Sequence, residues 1–260
     1  MLKKIFISSL VLGVSLLNAQ NISKSQCSKL GDDFIFAGGE CINYKKYSGE
    51  QKDKLNIVVH GTWDEGTNIL GRYAPFAENL SFETDVPTIA VALPGYSKSS
   101  LNNLKSIGSK TQTNLVYKKE YLSFLSSLIS AFKDKYNAKT ITYIGHSAGC
   151  SIGATILGDY PKLINNLLCA GGKYDIHKTT KEKDLISAID VVDNIDKNSK
   201  IALVYGTKDT ISKPENTIEF YKIAKEKGLN VKLVEVKDAV HLDLDMSEPS
   251  VNAIIELDEK

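Results

Sequence analysis

Six short apolar runs, five of them followed within two residues by glycine, alternate with stretches of helical periodicity along this chain. The runs occupy residues 55–59, 86–93, 140–144, 167–170, 201–205 and 231–236. They are rich in β-branched residues and nearly continuous, the pattern of strands buried on both faces of a parallel sheet. Between them, 114–136 places Leu115, Tyr121, Leu122, Leu125, Leu128, Ile129 and Phe132 on one helical stripe. A second helical stretch, 148–157, follows the third run directly. A third, 214–227, opens with Pro214 and stops at Gly228, the expected asymmetry of helix ends. Residues 250–257 close the chain as a fourth. Strands that alternate with helices require crossover connections, hence a parallel sheet with helices on both faces. Ahead of these units, 33–37 and 42–47 flank Gly38-Gly39-Glu40 and read as a hairpin. With no internal repeat and no linker, residues 20–260 are expected to form one domain.

Composition narrows the function. Of 260 residues, 42% are apolar and 24% charged, ordinary globular usage with length enough for a sizeable core. A formal charge of +1 and a pI near 7.6 exclude the strongly basic face of a nucleic-acid binder. Arg72 is the only arginine among 32 Lys and Arg residues, which excludes an arginine cluster for phosphate or carboxylate recognition.

Residues 1–19 read as a signal peptide. Lys3 and Lys4 precede an apolar stretch over 5–17, and Asn18-Ala19-Gln20 supplies a small residue at a cut after Ala19. The apolar stretch is short of the ~20 residues of a membrane span, and no later segment approaches that length without charges. A periplasmic or secreted bacterial protein is the expectation. In such a compartment the four cysteines favour disulfides. Four cysteines allow three pairings, of which Cys27 with Cys41 and Cys150 with Cys169 are local. Cys150 is expected in the first turn of the helix after the third run and Cys169 near the end of the next strand. Neighbouring strands lie ~4.8 Å apart, within the ~7 Å that a disulfide spans. Nothing in the spacing of these residues suits zinc, and nothing fixes an oligomeric state.

The chemistry centres on Gly145-His146-Ser147-Ala148-Gly149, between the third run and its helix. A G-x-S-x-G turn from strand to helix exposes the serine oxygen at a helix N-terminus. A serine hydroxyl needs a base to take its proton, and there are only four histidines. His146 adjoins Ser147 and should point away from it. His60 ends the first run, where it is expected to hold the following loop. His177 lies in a polar stretch after the fourth run. His241, after the last run, has the position of a base in the order Ser, acid, His. Asp209, after the fifth run, is the favoured carboxylate, with Asp175 as its rival. The oxyanion donors are expected to be the N–H of Ala148 and that of Thr62, with Trp63 as the alternative to Thr62. Trp63, the only tryptophan, could wall the substrate pocket or simply pack.

With HGTW at 60–63, LPGYSKS at 93–99, GHSAG at 145–149, GTKD at 206–209 and His241, the chain resembles the α/β-hydrolase fold family over most of 33–257. The resemblance implies an eight-stranded, mostly parallel sheet with an initial hairpin, a Ser-Asp-His triad and hydrolysis through an acyl-enzyme. It implies no metal or organic cofactor. Cys150 stands where a small residue is usual. The segment that often forms the cap, 172–199, is short, so a minimal cap is expected rather than a greasy lid. A small-molecule carboxylic ester is the leading substrate class. A peptidase or amidase with the same triad is the alternative, and a non-catalytic binding protein on this scaffold is a third.

Overall fold

The structure, a computed structural model, describes residues 22–63, 67–94 and 114–259. The proposed signal peptide and residues 95–99 of the LPGYSKS motif lie outside the described residues. Eight strands form one sheet in the order β1-β2-β4-β3-β5-β6-β7-β8. The hairpin pairs β1 (Phe34–Ala37) with β2 (Glu40–Tyr47) antiparallel, turning at Gly38-Gly39, and β2 pairs antiparallel with β4 (Thr88–Val91). All further pairings are parallel: β4 with β3 (Lys54–Val59), then β5 (Thr140–His146), β6 (Asn166–Ala170), β7 (Lys200–Gly206) and β8 (Asn230–Val236). Each apolar run therefore became a strand, and the one at 86–93 is trimmed at both ends.

The helices are α1 (Lys24–Cys27), α2 (Ile69–Thr84), α3 (Lys119–Lys135), α4 (Ala148–Asp159), α5 (Ala188–Val191), α6 (Pro214–Glu226) and α7 (Glu248–Asp258). A single 3-10 turn, Leu115–Tyr117, opens the stretch expected as one helix over 114–136. The period-two alternation of the strands sorts the core into two layers. Ile57, Val59, Tyr143, Leu167, Ile201 and Leu203 face α3, α4 and α6, with Phe124, Ile152 and Phe220 packed on them. Val58, Ile144, Leu168, Ala170, Ala202 and Val204 face α2 and α7, where Phe76, Leu80, Ile254 and Leu257 cover them. Both sheet faces are thus buried, which is why the runs lack a polar alternation.

The N-terminal ends of the central strands are closed by a buried polar network. Asp258, at the end of α7, accepts from Asn56 Nδ2 (2.8 Å) and Thr142 Oγ1 (2.6 Å), while Asn166 Nδ2 donates to the Leu257 carbonyl (2.9 Å). That end is sealed, so the opposite, C-terminal edge is where the chain can present a site. The segment from 172 to 199 supplies α5 and the 3-10 turns Ile176–Lys178 and Val192–Asn194, none longer than four residues. Cys27 joins Cys41, tying α1 to β2, and Cys150 joins Cys169, tying α4 to β6. No helix among the described residues is long and apolar enough to cross a membrane.

Candidate active site

Ser147 sits between β5 and α4 with φ 53° and ψ −115°, a conformation that costs a non-glycine residue about 1–3 kcal/mol. The surroundings impose it. The Ser147 N–H donates to the Ala170 carbonyl (2.9 Å), and the Ser147 carbonyl accepts from Ser151 N–H (2.9 Å). The glycines of the motif are required by close approach. A methyl at Gly145 would sit 2.6 Å from the Gly149 carbonyl oxygen, and one at Gly149 would sit 2.3 Å from the Val59 oxygen. The helix thus starts hard against the end of β3, and the serine side chain is left partly exposed.

The loop after β3 crosses the serine. A methyl at Gly61 would lie 2.7 Å from Ser147 Cβ and 3.3 Å from its Oγ. His60 fixes this loop. The Leu93 N–H donates to His60 Nε2 (2.9 Å), so that nitrogen carries the lone pair and Nδ1–H donates to the Gly61 carbonyl (2.6 Å). Burial pushes His60 down to about 4, against which the hydrogen bond to Gly61 works only in part. The ring is neutral near pH 7 and holds the loop, as expected. Because the chain has no cis peptide bond among the described residues, a Gly61 carbonyl turned to His60 points the Thr62 N–H the opposite way within that peptide plane. Ala148 is the first residue of α4, where an N–H has no acceptor within the helix.

Asp209 and His241 meet beyond β7 and β8. Asp209 is 3% exposed; its Oδ1 accepts the N–H groups of Ile211 and Ser212 (both 2.8 Å), and its Oδ2 lies 2.7 Å from His241 Nδ1. A carboxylate only accepts, so Nδ1 carries a proton, and in the neutral ring Nε2 is the nitrogen with the lone pair. Gly171, one residue past the carbonyl that anchors Ser147, lies beside both: a methyl there would be 3.2 Å from His241 Nδ1 and 3.3 Å from Asp209 Oδ2. The Ser147 hydroxyl makes no hydrogen bond to the His241 ring among the described residues, and contacts of this kind commonly tighten when substrate binds.

The other sequence candidates fall elsewhere. Asp175 caps its own 3-10 turn by accepting from the His177 N–H (3.0 Å). His177 pairs with Asp190 at the surface (2.9 Å). Trp63 is partly buried against the α2 and α7 layer, with the Arg72 guanidinium 4.5 Å over its ring, and Arg72 also pairs with Asp243. Two contacts escaped sequence reasoning. His146 Nε2 reaches the His241 carbonyl (2.8 Å), and Asp245 is buried beside it. Only strand parity hinted at the first, since His146 shares the face of Ile144.

Comparison with solved structures places this architecture. The Pyrococcus furiosus esterase Pf2001 superposes with a TM-score of 0.64 at 19% identity, over 86% of this chain and 90% of that one. Est1E from Butyrivibrio proteoclasticus, a structure with ferulic acid bound, gives 0.59 at 17% identity over 86% and 95%. Esterase PE8 gives 0.61 at 12% over 83% and 96%. The chain has the α/β-hydrolase fold. No family model matches its sequence, and no curated protein sequence does.

Proposed function

We propose that this protein is an exported serine hydrolase that cleaves carboxylic esters. The observation that carries the reading is the His241–Asp209 pair at the sheet edge that also bears a strained, partly exposed Ser147. In this mechanism His241 Nε2 takes the Ser147 proton as Oγ attacks the ester carbonyl, and Asp209 stabilises the imidazolium. The N–H groups of Ala148 and Thr62 receive the developing oxyanion, each commonly worth about 3 kcal/mol. His241 returns the proton to the leaving alcohol, and water, activated by the same base, releases the acyl group.

An ester is favoured over an amide by the thin covering over 172–199. The substrate is expected to be apolar near the scissile bond, because Ile211, Val240 and Leu242 are exposed beside Asp209 and His241. Two disulfides suit an oxidising, extracellular compartment.

A fluorophosphonate probe tests the reading. Ser147 should be labelled in the wild type, and Ser147→Ala should abolish both labelling and hydrolysis of nitrophenyl esters. His241→Ala should cost about as much as Ser147→Ala, and Asp209→Asn should fall by at least about 10³-fold. Asp175→Asn should stay near wild type. Absence of labelling in folded wild-type protein would favour a binding role, and cleavage of aminoacyl nitroanilides in preference to esters would favour an amidase.

A further inference from the structure

His146 ends β5 on the same face as Ile144, within the α2 and α7 layer, and is 4% exposed. An apolar side chain would suit that layer at no desolvation cost, whereas a buried imidazole must regain its lost hydration through hydrogen bonds. Its bond is specific. Nε2 lies 2.8 Å from the backbone carbonyl of His241, and a carbonyl only accepts, so Nε2–H is the donor. The two rings lie 4.9 Å apart, tilted by 40°.

The turn bearing His241 has need of such a bond. Asp238 and Asp243 both adopt left-handed backbone (φ 59° and 58°), and Val240 and Leu242 point their side chains into solvent. Before His241, the turn is tied to β7 by Asp238 N–H donating to Thr207 Oγ1 (2.8 Å) and Lys208 N–H donating to the Ala239 carbonyl (2.9 Å). After it, Arg72 pairs with Asp243. At His241 itself, the backbone tie among the described residues is His146. Asp245 lies on the inner side of this group, 1% exposed, with burial holding its carboxyl above the usual range and His146 opposing that shift. His60, Tyr73, Arg72 and Asp243 complete the polar and charged surroundings.

We propose that His146 is a positioning residue for the general base, its Nε2–H fixing the His241 backbone so that the ring stands between Asp209 and Ser147. One strand end then sets both partners, since Ser147 follows His146 directly. The catalytic consequence rests on the serine-hydrolase reading; the positioning itself does not.

The test compares His146→Phe, which fills the space without a donor, with His146→Gln, whose amide can donate to the same carbonyl. Two measurements are made on full-length folded protein: ester hydrolysis, and the downfield proton resonance of the His241 Nδ1–H bonded to Asp209. His146→Phe should lower kcat by about tenfold or more with KM changed by less than about twofold. It should also shift or abolish the resonance. His146→Gln should keep the resonance and recover kcat to within about threefold of wild type. The proposal is overturned if His146→Phe leaves kcat and resonance as they were, or if folded His146→Gln loses the resonance. Should His146→Phe fail to fold, the His146→Gln resonance decides alone. If wild-type protein hydrolyses no ester, the hydrolase reading fails, and the resonance still decides whether His146 holds the base.

Discussion

Four histidines in one chain show how differently the same side chain is used when its neighbours differ. His241 donates an Nδ1–H hydrogen bond to the Asp209 carboxylate. His146 is a backbone donor. His60 is both acceptor and donor to backbone, and its tautomer is dictated by Leu93. His177 is a surface partner of Asp190. Sequence order singled out His241 as the proposed base because it follows the last strand, and it placed His60 at the start of the loop that it holds. Chain order could say nothing of the bond from His146, which spans 95 positions. His60 carries a prediction of its own. Its folded value is lowered from 6.5 to about 4 by burial, so between those values the unfolded chain binds the extra proton. The stability that this neutral histidine contributes is fully present above about pH 6.5 and is lost as pH falls towards 4, up to about 3 kcal/mol in all. Urea unfolding at several pH values should show a steeper loss between pH 6.5 and 4 in wild type than in His60→Gln. Equal slopes in the two proteins would show that His60 is not held neutral.

At the scale of elements, the strands were legible because both sheet faces are covered, so each strand had to be apolar throughout. Helix α2 was not. Its stripe of Ile69, Tyr73, Phe76, Ala77 and Leu80 is regular, yet Gly71 and Pro75 interrupt it and Asn79, Ser81 and Thr84 are weak helix formers. Tertiary burial supplies what propensity lacks. The disulfides divide their work between elements. Cys150–Cys169 fastens the helix that follows Ser147 to the neighbouring strand, and both sulfurs belong to fully buried residues. Cys27–Cys41 holds a four-residue helix, too short to persist alone, to β2 near the edge of the sheet. Replacing both Cys27 and Cys41 by serine should lower the unfolding free energy by about 3 kcal/mol, the chain-entropy estimate for a loop near 15 residues. It should leave ester hydrolysis at 25 °C unchanged, because the proposed site lies at the ends of β3 and β5 to β8 and not on the hairpin. Denaturant titration and a rate assay on the same preparation check both halves, and a fall in kcat at full folding would mean that the hairpin reaches the site.

Across the whole molecule, the two ends of the sheet are treated oppositely. One end is shut by Asp258 and its partners on β3 and β5. The other carries Ser147, Asp209 and His241 on turns that bind one another through backbone groups, so the site inherits the rigidity of four strand ends. The fold class and the placement of these residues followed from strand order; the substrate did not, because it depends on the side chains that rim the mouth. Two residues past Asp209 and on either side of His241 in sequence, the structure exposes Ile211, at 70%, and Val240 and Leu242, each at 54%. If the proposed triad acts on an ester, aliphatic groups this exposed near it in sequence would gain by covering an apolar part of the substrate, each contributing up to about 1.5–3 kcal/mol when fully buried. The segment from 172 to 199, with no helix beyond four residues, does not provide an amphipathic lid that must peel away at a lipid surface. Hydrolysis of nitrophenyl butyrate should therefore follow a simple saturation curve through the solubility limit, with no jump where droplets form. The double change Val240→Ser with Leu242→Ser should raise KM for butyrate more than for acetate and leave kcat nearly unchanged, since these side chains touch neither Ser147 nor the oxyanion donors in the mechanism above. A rate that stays near zero for dissolved substrate and climbs only with droplets would refute the expectation of a minimal cap. Equal KM changes for the two esters would show that these side chains do not meet the acyl chain.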